Sequence, residues 1–247
     1  MMQRHSSCDD TLAGLKRQLA ELQRINHELT ASASAVARDL SEPLTRILSV
    51  AGLLTTLPTI TSNPVALDMA NQLLAGARKM QNLIEHYLAF FRAGCDELKL
   101  QPVSLDLLME LVRHELEPLT AGRKVRWQIG PLREVQGDPS MLHQALLNLL
   151  SNSLKFTRSR TEAVIEVGVQ PDPQEVIVYV KDNGIGFNPE AADHLFHKFQ
   201  RLRPDFEGAG IGLVIVQHIL SRHGGRVWAE GRPGKGATFY FALPATK

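Results

Sequence analysis

The chain has 247 residues, 44% of them hydrophobic and 21% charged, the balance of a soluble globular protein of one or two domains. Its net charge of +1 supplies no general field for nucleic acid or an anionic membrane, so neither is expected as a partner. No apolar run is long enough to span a bilayer, the polar start MMQRHSSCDD is not a signal peptide, and Cys8 and Cys95 have no metal spacing and suggest no disulfide framework; a reducing, cytoplasmic setting without direct membrane insertion follows as the expectation.

The first third is helical in pattern. Leu12, Leu15, Leu19, Leu22, Asn26, Leu29, Ala33, Val36 and Leu40 recur in steps of three and four, the a/d seam of a coiled coil. The seam lasts more than four heptads, which favours a coiled coil over a frayed helix. Asn26 on such a seam costs stability but fixes register. TLPTITSNPVA, Thr56 to Ala66, reads as a turn with proline near both ends. A second helix follows, with Ala70, Leu73, Ala77, Met80, Ile84, Tyr87 and Phe91 in the same rhythm and Leu74 and Leu88 widening the stripe. A stripe that wide needs more than one neighbour. Two such hairpins would bury it as a four-helix bundle, so a homodimer through the helical hairpin is expected.

After residues 93–98 the texture changes. The segments KVRWQIG, AVIEVGVQ, EVIVYVKD, GRVWAEG and ATFYFALP read as strands, and SLDLLMELVRHEL and PSMLHQALLNLLSNSLKF as helices. The C-terminal strands are mostly hairpin-like, which predicts a mixed sheet with helices on one face. The expected organisation is a coiled-coil helix over 1–29, a helical hairpin over 30–95 and an α/β domain over 96–247.

Four modest signals follow one another in that last domain. In NLLSNSLKF, Asn148 and Asn152 share a helix face and Lys155 lies one turn on; amide oxygens can ligate a hard cation and a lysine can meet phosphate. Alone, these would be surface residues of an ordinary helix. DNGIGF ends a strand with Asp182, a carboxylate able to accept from an exocyclic amine, and with Gly184 and Gly186, which let backbone approach a flat ligand. A polar stretch with two aromatics, Phe196 and Phe199, comes next. GAGIGL then places Gly208, Gly210 and Gly212 at a helix start, an anion cradle. Gly234 and Gly236 precede the closing strand.

In this order and spacing the motifs resemble those of the bacterial sensor histidine kinase transmitter. Residues 138–244 are similar to the ATP-binding domain of the GHKL (Bergerat-fold) superfamily: NLLSNSLKF to the N box, DNGIGF to G1, LFHKFQRL to the F box and GAGIGL to G2. Residues 30–93 resemble its dimerisation and phosphotransfer hairpin, and RDLSEPLTRIL resembles the phytochrome-type H box. The resemblance implies a helical hairpin followed by a Bergerat-fold α/β sandwich. It implies that ATP and Mg2+ are the cofactors. Asn148 and Asn152 would hold Mg2+ and phosphates, with Asn152 the metal ligand, and Lys155 would touch phosphate. Asp182 would read the adenine amine, and Gly184 and Gly186 would shape the pocket, which Phe199 and Leu213 would help to line. Asn188 to Ala209 would form a mobile lid, hinged by Gly208, Gly210 and Gly212.

Two departures matter. Hydrolytic members of the superfamily carry a glutamate one turn before the metal-binding Asn; here that place is Asn148, and an amide cannot take a proton from water. Transfer to an external acceptor is therefore favoured over hydrolysis. The H box would begin with the phosphoacceptor histidine, and here that place is Arg38, at a heptad f position and facing outward. A guanidinium has no free basic lone pair. The remnant catalytic residues are Asp39 and Glu42. His27 and His86 read as plain surface histidines and His143 as a helix-surface residue. The expectation is a two-component signalling protein that binds Mg-ATP but regulates or phosphorylates a partner, either a response regulator receiver domain or another histidine kinase. Two alternatives stay open: a receiver-domain phosphatase or docking platform, with Glu42 orienting water, and a GHKL-type ATPase.

Overall fold

In the computed structural model, residues 2–95, 98–196 and 211–245 are described. The chain divides into two units, Met1–Cys95 and Asp96–Lys247.

The first unit is a helical hairpin. Helix α1 runs unbroken over Met2–Leu54, a single turn of helix α2 occupies Pro58–Thr61, and α3 covers Pro64–Cys95. The stretch expected as a plain turn is thus shorter: Pro58 and Pro64 each open a helix, because a proline N-terminus forfeits no helical hydrogen bond. Ala37, Leu44 and Ala51 of α1, seven residues apart, are buried in the hairpin, as are Ala70 and Ala77 of α3. Small side chains there let the two helix backbones approach closely. The larger stripe residues are left outside: Leu29, Val36 and Leu40 of α1 are more than half exposed, and Leu73 and Met80 of α3 about half, as is the neighbouring Met69 to a greater extent. The side chains of Leu12, Leu15, Leu19, Leu22, Asn26, Tyr87 and Phe91 lie outside the described residues, as do those of His27 and His86.

Pro43 sits inside α1 and leaves the Asp39 carbonyl without its usual N–H donor. Around it, hydroxyls bond back one turn: Ser41 Oγ donates to the Ala37 carbonyl at 2.7 Å, Thr45 Oγ1 to Ser41 at 2.8 Å and Ser49 Oγ to Thr45 at 2.9 Å. Such bonds take up polar side chains on a helix without a second element to meet them.

The second unit begins with β1 (Gln101–Ser104), α4 (Leu105–Glu115) and a helical turn α5 (Glu117–Thr120). Strands β2 (Val125–Ile129) and β3 (Glu134–Gly137) precede α6 (Pro139–Phe156); β4 (Ala163–Gln170), β5 (Glu175–Asp182), α7 (Gly212–Arg222), β6 (Arg226–Arg232) and β7 (Gly236–Pro244) complete it. The main sheet has the order β2-β4-β5-β7-β6, with β2 and β4 parallel and the remaining pairs antiparallel. Strands β1 and β3 form a separate antiparallel pair. No expectation covered them, because four residues with two exposed positions carry too little alternation to register.

Alternate residues of β5 and β7, including Val178, Val180, Phe239 and Phe241, are buried. Leu146, Leu149 and Leu150 of α6 and Ile215 and Ile219 of α7 are buried with them, and both helices pack on the sheet. The other face is polar and aromatic. Tyr179 donates to Glu166 at 2.9 Å, Lys181 meets the same carboxylate at 3.1 Å, and Trp228 stacks on Tyr240 with ring centroids 5.2 Å apart. This one-sided cover is the Bergerat arrangement: a helical region followed by a mixed α/β sandwich. No described helix is long and apolar enough to cross a membrane.

Candidate functional site

The register of the sheet puts Asp182 at the last position of the central strand β5, between Ile165 of β4 and Ala237 of β7. Its side chain is 4% exposed. Burial pushes its carboxyl from 3.8 up to about 6, against hydrogen bonds from the Gly184 and Ala237 backbones and the charge of Arg160, which favour the ionised form. The Gly184 N–H donates to Asp182 Oδ1 at 2.8 Å.

The loop beyond β5 is gripped on all sides. The Ile185 N–H donates to the Phe156 carbonyl at the end of α6 at 3.1 Å, and the Gly234 N–H to the Ile185 carbonyl at 2.6 Å. A methyl group on Gly184 would fall 2.6 Å from the Phe156 carbonyl oxygen. Gly186 has φ +64°, and a methyl there would overlap the Arg232 carbonyl oxygen. These two glycines are required by close approach, the reason glycine is used at such places. Asn183 ties the loop to β4: its Nδ2 donates to the Glu162 carbonyl at 2.9 Å and its Oδ1 accepts from the Val164 N–H at 2.9 Å.

Helix α6 starts on Asp138, whose carboxylate accepts from the Ser140 and Met141 N–H groups at 3.0 and 3.2 Å and from Lys99 at 3.2 Å. These bonds hold the Asp138 carboxyl below its ordinary range although burial, the largest influence, works the other way. The Asp138 N–H in turn donates to His223 Nε2 at 2.9 Å, and His223 Nδ1 lies 2.7 Å from the Ile219 carbonyl, so the neutral ring carries its proton on Nδ1. The start of α6 is thereby fixed to the end of α7.

Along α6, Asn148 is buried and donates from Nδ2 to the Gln144 carbonyl at 3.0 Å. Its Oδ1 faces the start of α7, 3.1 Å from where a methyl on Gly212 would stand. Asn152, one turn later, is half-buried, and among the described residues nothing hydrogen-bonds its amide. Lys155 holds its Nζ 4.9 Å from the Phe156 ring centroid. His143, expected on the helix surface, is half-buried, with Nε2 3.1 Å from Glu115 Oε2, because α4 packs against that side of α6. Helix α7 opens at Gly212 behind Ile211, whose side chain offers no acceptor for the first-turn N–H groups. Leu213 follows, half-buried. Phe196 is buried at the end of a short helical turn. Phe199, Gly208 and Gly210, and most of the expected lid, lie outside the described residues.

The second unit thus gathers a buried carboxylate, two glycines at close backbone approach, amide oxygens along one helix and a helix N-terminus whose N-cap residue makes no side-chain cap, a place that favours anions. These groups fit a magnesium nucleotide: the carboxylate suits an amine edge, neutral amide oxygens suit Mg2+ already carrying phosphate charge, and the helix start suits phosphate. Sequence reasoning missed Arg160, Asn183 and His223. Arg160 and Asn183 act through backbone carbonyls and N–H groups, which leave no residue-type signature.

In the first unit, Arg38, Asp39, Glu42 and Pro43 are all exposed. Glu42 is held by Arg46 one turn on, at 2.6 Å, both side chains remaining more than 70% exposed.

Residues 137–247 match the family of histidine kinase-, DNA gyrase B- and HSP90-like ATPases. The methanogenesis regulatory histidine kinase FilI of Methanothrix harundinacea is 33% identical over 236 residues, covering 93% of this chain and 26% of that protein. Cyanobacterial phytochrome A of a Nostoc species is 33% identical over 226 residues, 91% of this chain and 29% of that protein. The chain therefore spans about a quarter to a third of the length of these relatives. Full-length ShkA, solved in complex with AMPPNP, superposes with a TM-score of 0.64 at 28% identity over 87% of this chain and 46% of its own. The catalytic domain of histidine kinase ThkA shares the fold at a TM-score of 0.52 and 24% identity, over 60% of this chain and 99% of its own. By its fold, its motifs and these relatives, the chain is a transmitter module of the sensor histidine kinase family with an ATP-binding domain of the GHKL type.

Proposed function

We propose that the chain binds Mg-ATP in the second unit and directs its signalling at a partner, because its own acceptor position holds Arg38. Asp182 accepts from the adenine amine, Asn152 offers its amide oxygen to Mg2+, Asn148 borders the phosphate end, and Lys155 leaves the Phe156 ring to meet phosphate. A bound Mg2+ supplies charge neutralisation at the phosphates. Phosphoryl transfer needs a nucleophile in line with the γ-phosphate, and a guanidinium that stays protonated supplies none.

The observation that carries this reading is the exposed Arg38 beside Asp39, on the outer surface of α1 and one turn before the Glu42–Arg46 pair. The surroundings of an acceptor are present and the acceptor is not. Two hairpins pair through the exposed stripe of Val36, Leu40, Leu73 and Met80 to complete a four-helix bundle, and a receiver domain or a second kinase is the partner. Glu42 pairs with Arg46 on the exposed helix surface, a weak contact that does not decide its role in the receiver-phosphatase alternative. Asn148 in the place of a general base weighs against a hydrolytic clamp.

Incubation with γ-labelled ATP tests the reading. The native chain is expected to bind nucleotide and remain unlabelled, while Arg38→His acquires label on α1. Strong labelling of the native chain overturns the lost acceptor, and absence of nucleotide binding in both overturns the site.

A further inference from the structure

Arg160 lies in the turn between α6 and β4, outside all four nucleotide motifs. Its Nε donates to the Asn183 carbonyl at 2.6 Å, and its Nη2 donates to the carbonyls of Gly184 at 2.8 Å and Gly234 at 2.6 Å. One guanidinium therefore holds two separate segments, the loop leaving β5 and the turn between β6 and β7. The three bonds leave from two nitrogens of a rigid planar fork, Nε and Nη2; an ammonium has three donors too, but they radiate from one atom and do not reproduce that spread.

The bonds fall on particular peptide planes. The Asn183 carbonyl and the Gly184 N–H belong to one planar trans peptide, so fixing the oxygen fixes the direction of the N–H. That N–H is the group that donates to Asp182 Oδ1 at 2.8 Å. The next peptide carries the Gly184 carbonyl on Arg160 and the Ile185 N–H on the Phe156 carbonyl. Two consecutive peptides are thus locked at both ends, and the nearer one holds the buried carboxylate. A cation on the carbonyl end also polarises that peptide, which strengthens its N–H as a donor.

We propose that Arg160 is a positioning residue for adenine recognition, orienting the Asn183–Gly184 peptide so that the Asp182 carboxylate stands ready for an exocyclic amine. It acts through Asp182 and does not touch the base. The inference rests on the reading above that Asp182 receives the adenine amine, and it assigns base selectivity to a residue that no nucleotide motif contains.

The experiment compares ADP with IDP, which carries a carbonyl in place of the amine, by calorimetric titration of the full chain with Mg2+. The variants are Arg160→Ala, Arg160→Lys and Asp182→Asn. The native chain is expected to prefer ADP. Arg160→Ala should lose about tenfold in ADP affinity, the loss of one well-placed hydrogen bond, and change less than about twofold toward IDP. Arg160→Lys, which makes only part of the clasp, should fall between. In Asp182→Asn the alanine substitution at 160 should cost ADP affinity nothing further, since both act on the same contact. Equal weakening of ADP and IDP would make Arg160 a structural staple and overturn the proposal, as would unchanged ADP affinity. Thermal unfolding identifies a variant that has lost its fold, and Arg160→Lys then decides by the same ratio. A native chain that binds both nucleotides equally sinks the reading of Asp182 itself; a native preference that survives in both Arg160 variants sinks only this inference.

Discussion

Asp182→Asn should make the unliganded protein more stable while destroying its adenine preference. The carboxyl is 4% exposed and burial holds it at about 6 against an ordinary 3.8. Below 3.8 the group is protonated in both folded and unfolded chains and contributes nothing to pH dependence. As the pH rises from 3.8 to about 6, the unfolded chain releases the proton and the folded chain keeps it, so stability falls across that window. Above it the cost is constant, about 3 kcal/mol at roughly 1.4 kcal/mol per pH unit. Asparagine keeps the shape and the acceptor for the Gly184 N–H, and the preference of that bond for the charged form is already contained in the net shift. The expected gain is then about 3 kcal/mol at pH 7 and close to none at pH 4. Both tryptophans, Trp127 and Trp228, lie in strands of the second unit, so denaturant unfolding followed by fluorescence reports on that unit. Other carboxylates move the pH profile too, Asp138 and Glu166 in the opposite sense, but they are common to both proteins and cancel in the difference. A variant less stable than the native chain at pH 7, or a difference that is the same at pH 4 and pH 7, refutes the reasoning.

The same carboxyl sets a pH limit on binding: ADP affinity should fall as pH drops through about 6, where Asp182 takes up its proton, and a flat profile between pH 7.5 and 5 in calorimetry would contradict this. Gly186→Ala should cost about 3 kcal/mol or more, since the added methyl meets the Arg232 carbonyl in a left-handed backbone; denaturant titration measures it, and a loss below about 1 kcal/mol would show that the loop yields. Leu40→Glu puts a charge on the exposed stripe of α1 and should turn dimers into monomers in sedimentation at micromolar concentration without loss of helix, whereas an unchanged mass would remove that stripe from the interface.

The five main strands and the long helices were legible because their side chains alternate or recur over eight or more residues, or are bounded by glycine and proline. Gly184 and Gly186 were legible because close backbone approach restricts residue type at both places, whereas Asp182 stood out only as the first member of the DNGIGF pattern. The Arg160 clasp was not, since an arginine in a polar turn looks the same whether it meets water or three carbonyls. His223 was hidden for a related reason. Its partners are the Asp138 N–H and the Ile219 carbonyl, one of them 85 residues away in sequence. The helical hairpin shows a subtler limit. Both the residues buried within the chain, such as Ala37 and Ala77, and those left outside, such as Leu40 and Leu73, belong to one wide apolar stripe. Periodicity gave the stripe, but the division between the two faces depends on helix packing.

The proposed function gives Arg38 a more definite character than that of a missing histidine. A neutral imidazole can attack phosphorus because one ring nitrogen keeps a lone pair, and the resulting bond stores the transferred group. A guanidinium offers five donors and permanent positive charge, so it holds a phosphate by paired hydrogen bonds and never by a covalent one. On α1, Asp39 is the carboxylate next to Arg38 in sequence, and Glu42 one turn on pairs with Arg46. On the proposed reading, the outer face of the helix would bind phosphate reversibly and not take it covalently. A partner bearing a phosphoryl group would meet a cation there, while the nucleotide site in the second unit is untouched by the change. Arg38→His reverses both properties at once, creating an acceptor and removing a permanent charge; Arg38→Gln removes the charge alone. If the partner's affinity falls in both variants but label appears only in Arg38→His, phosphate binding and phosphate acceptance at this position are separable. If Arg38→Gln leaves the affinity for a phosphorylated partner unchanged, the guanidinium plays no part in holding it.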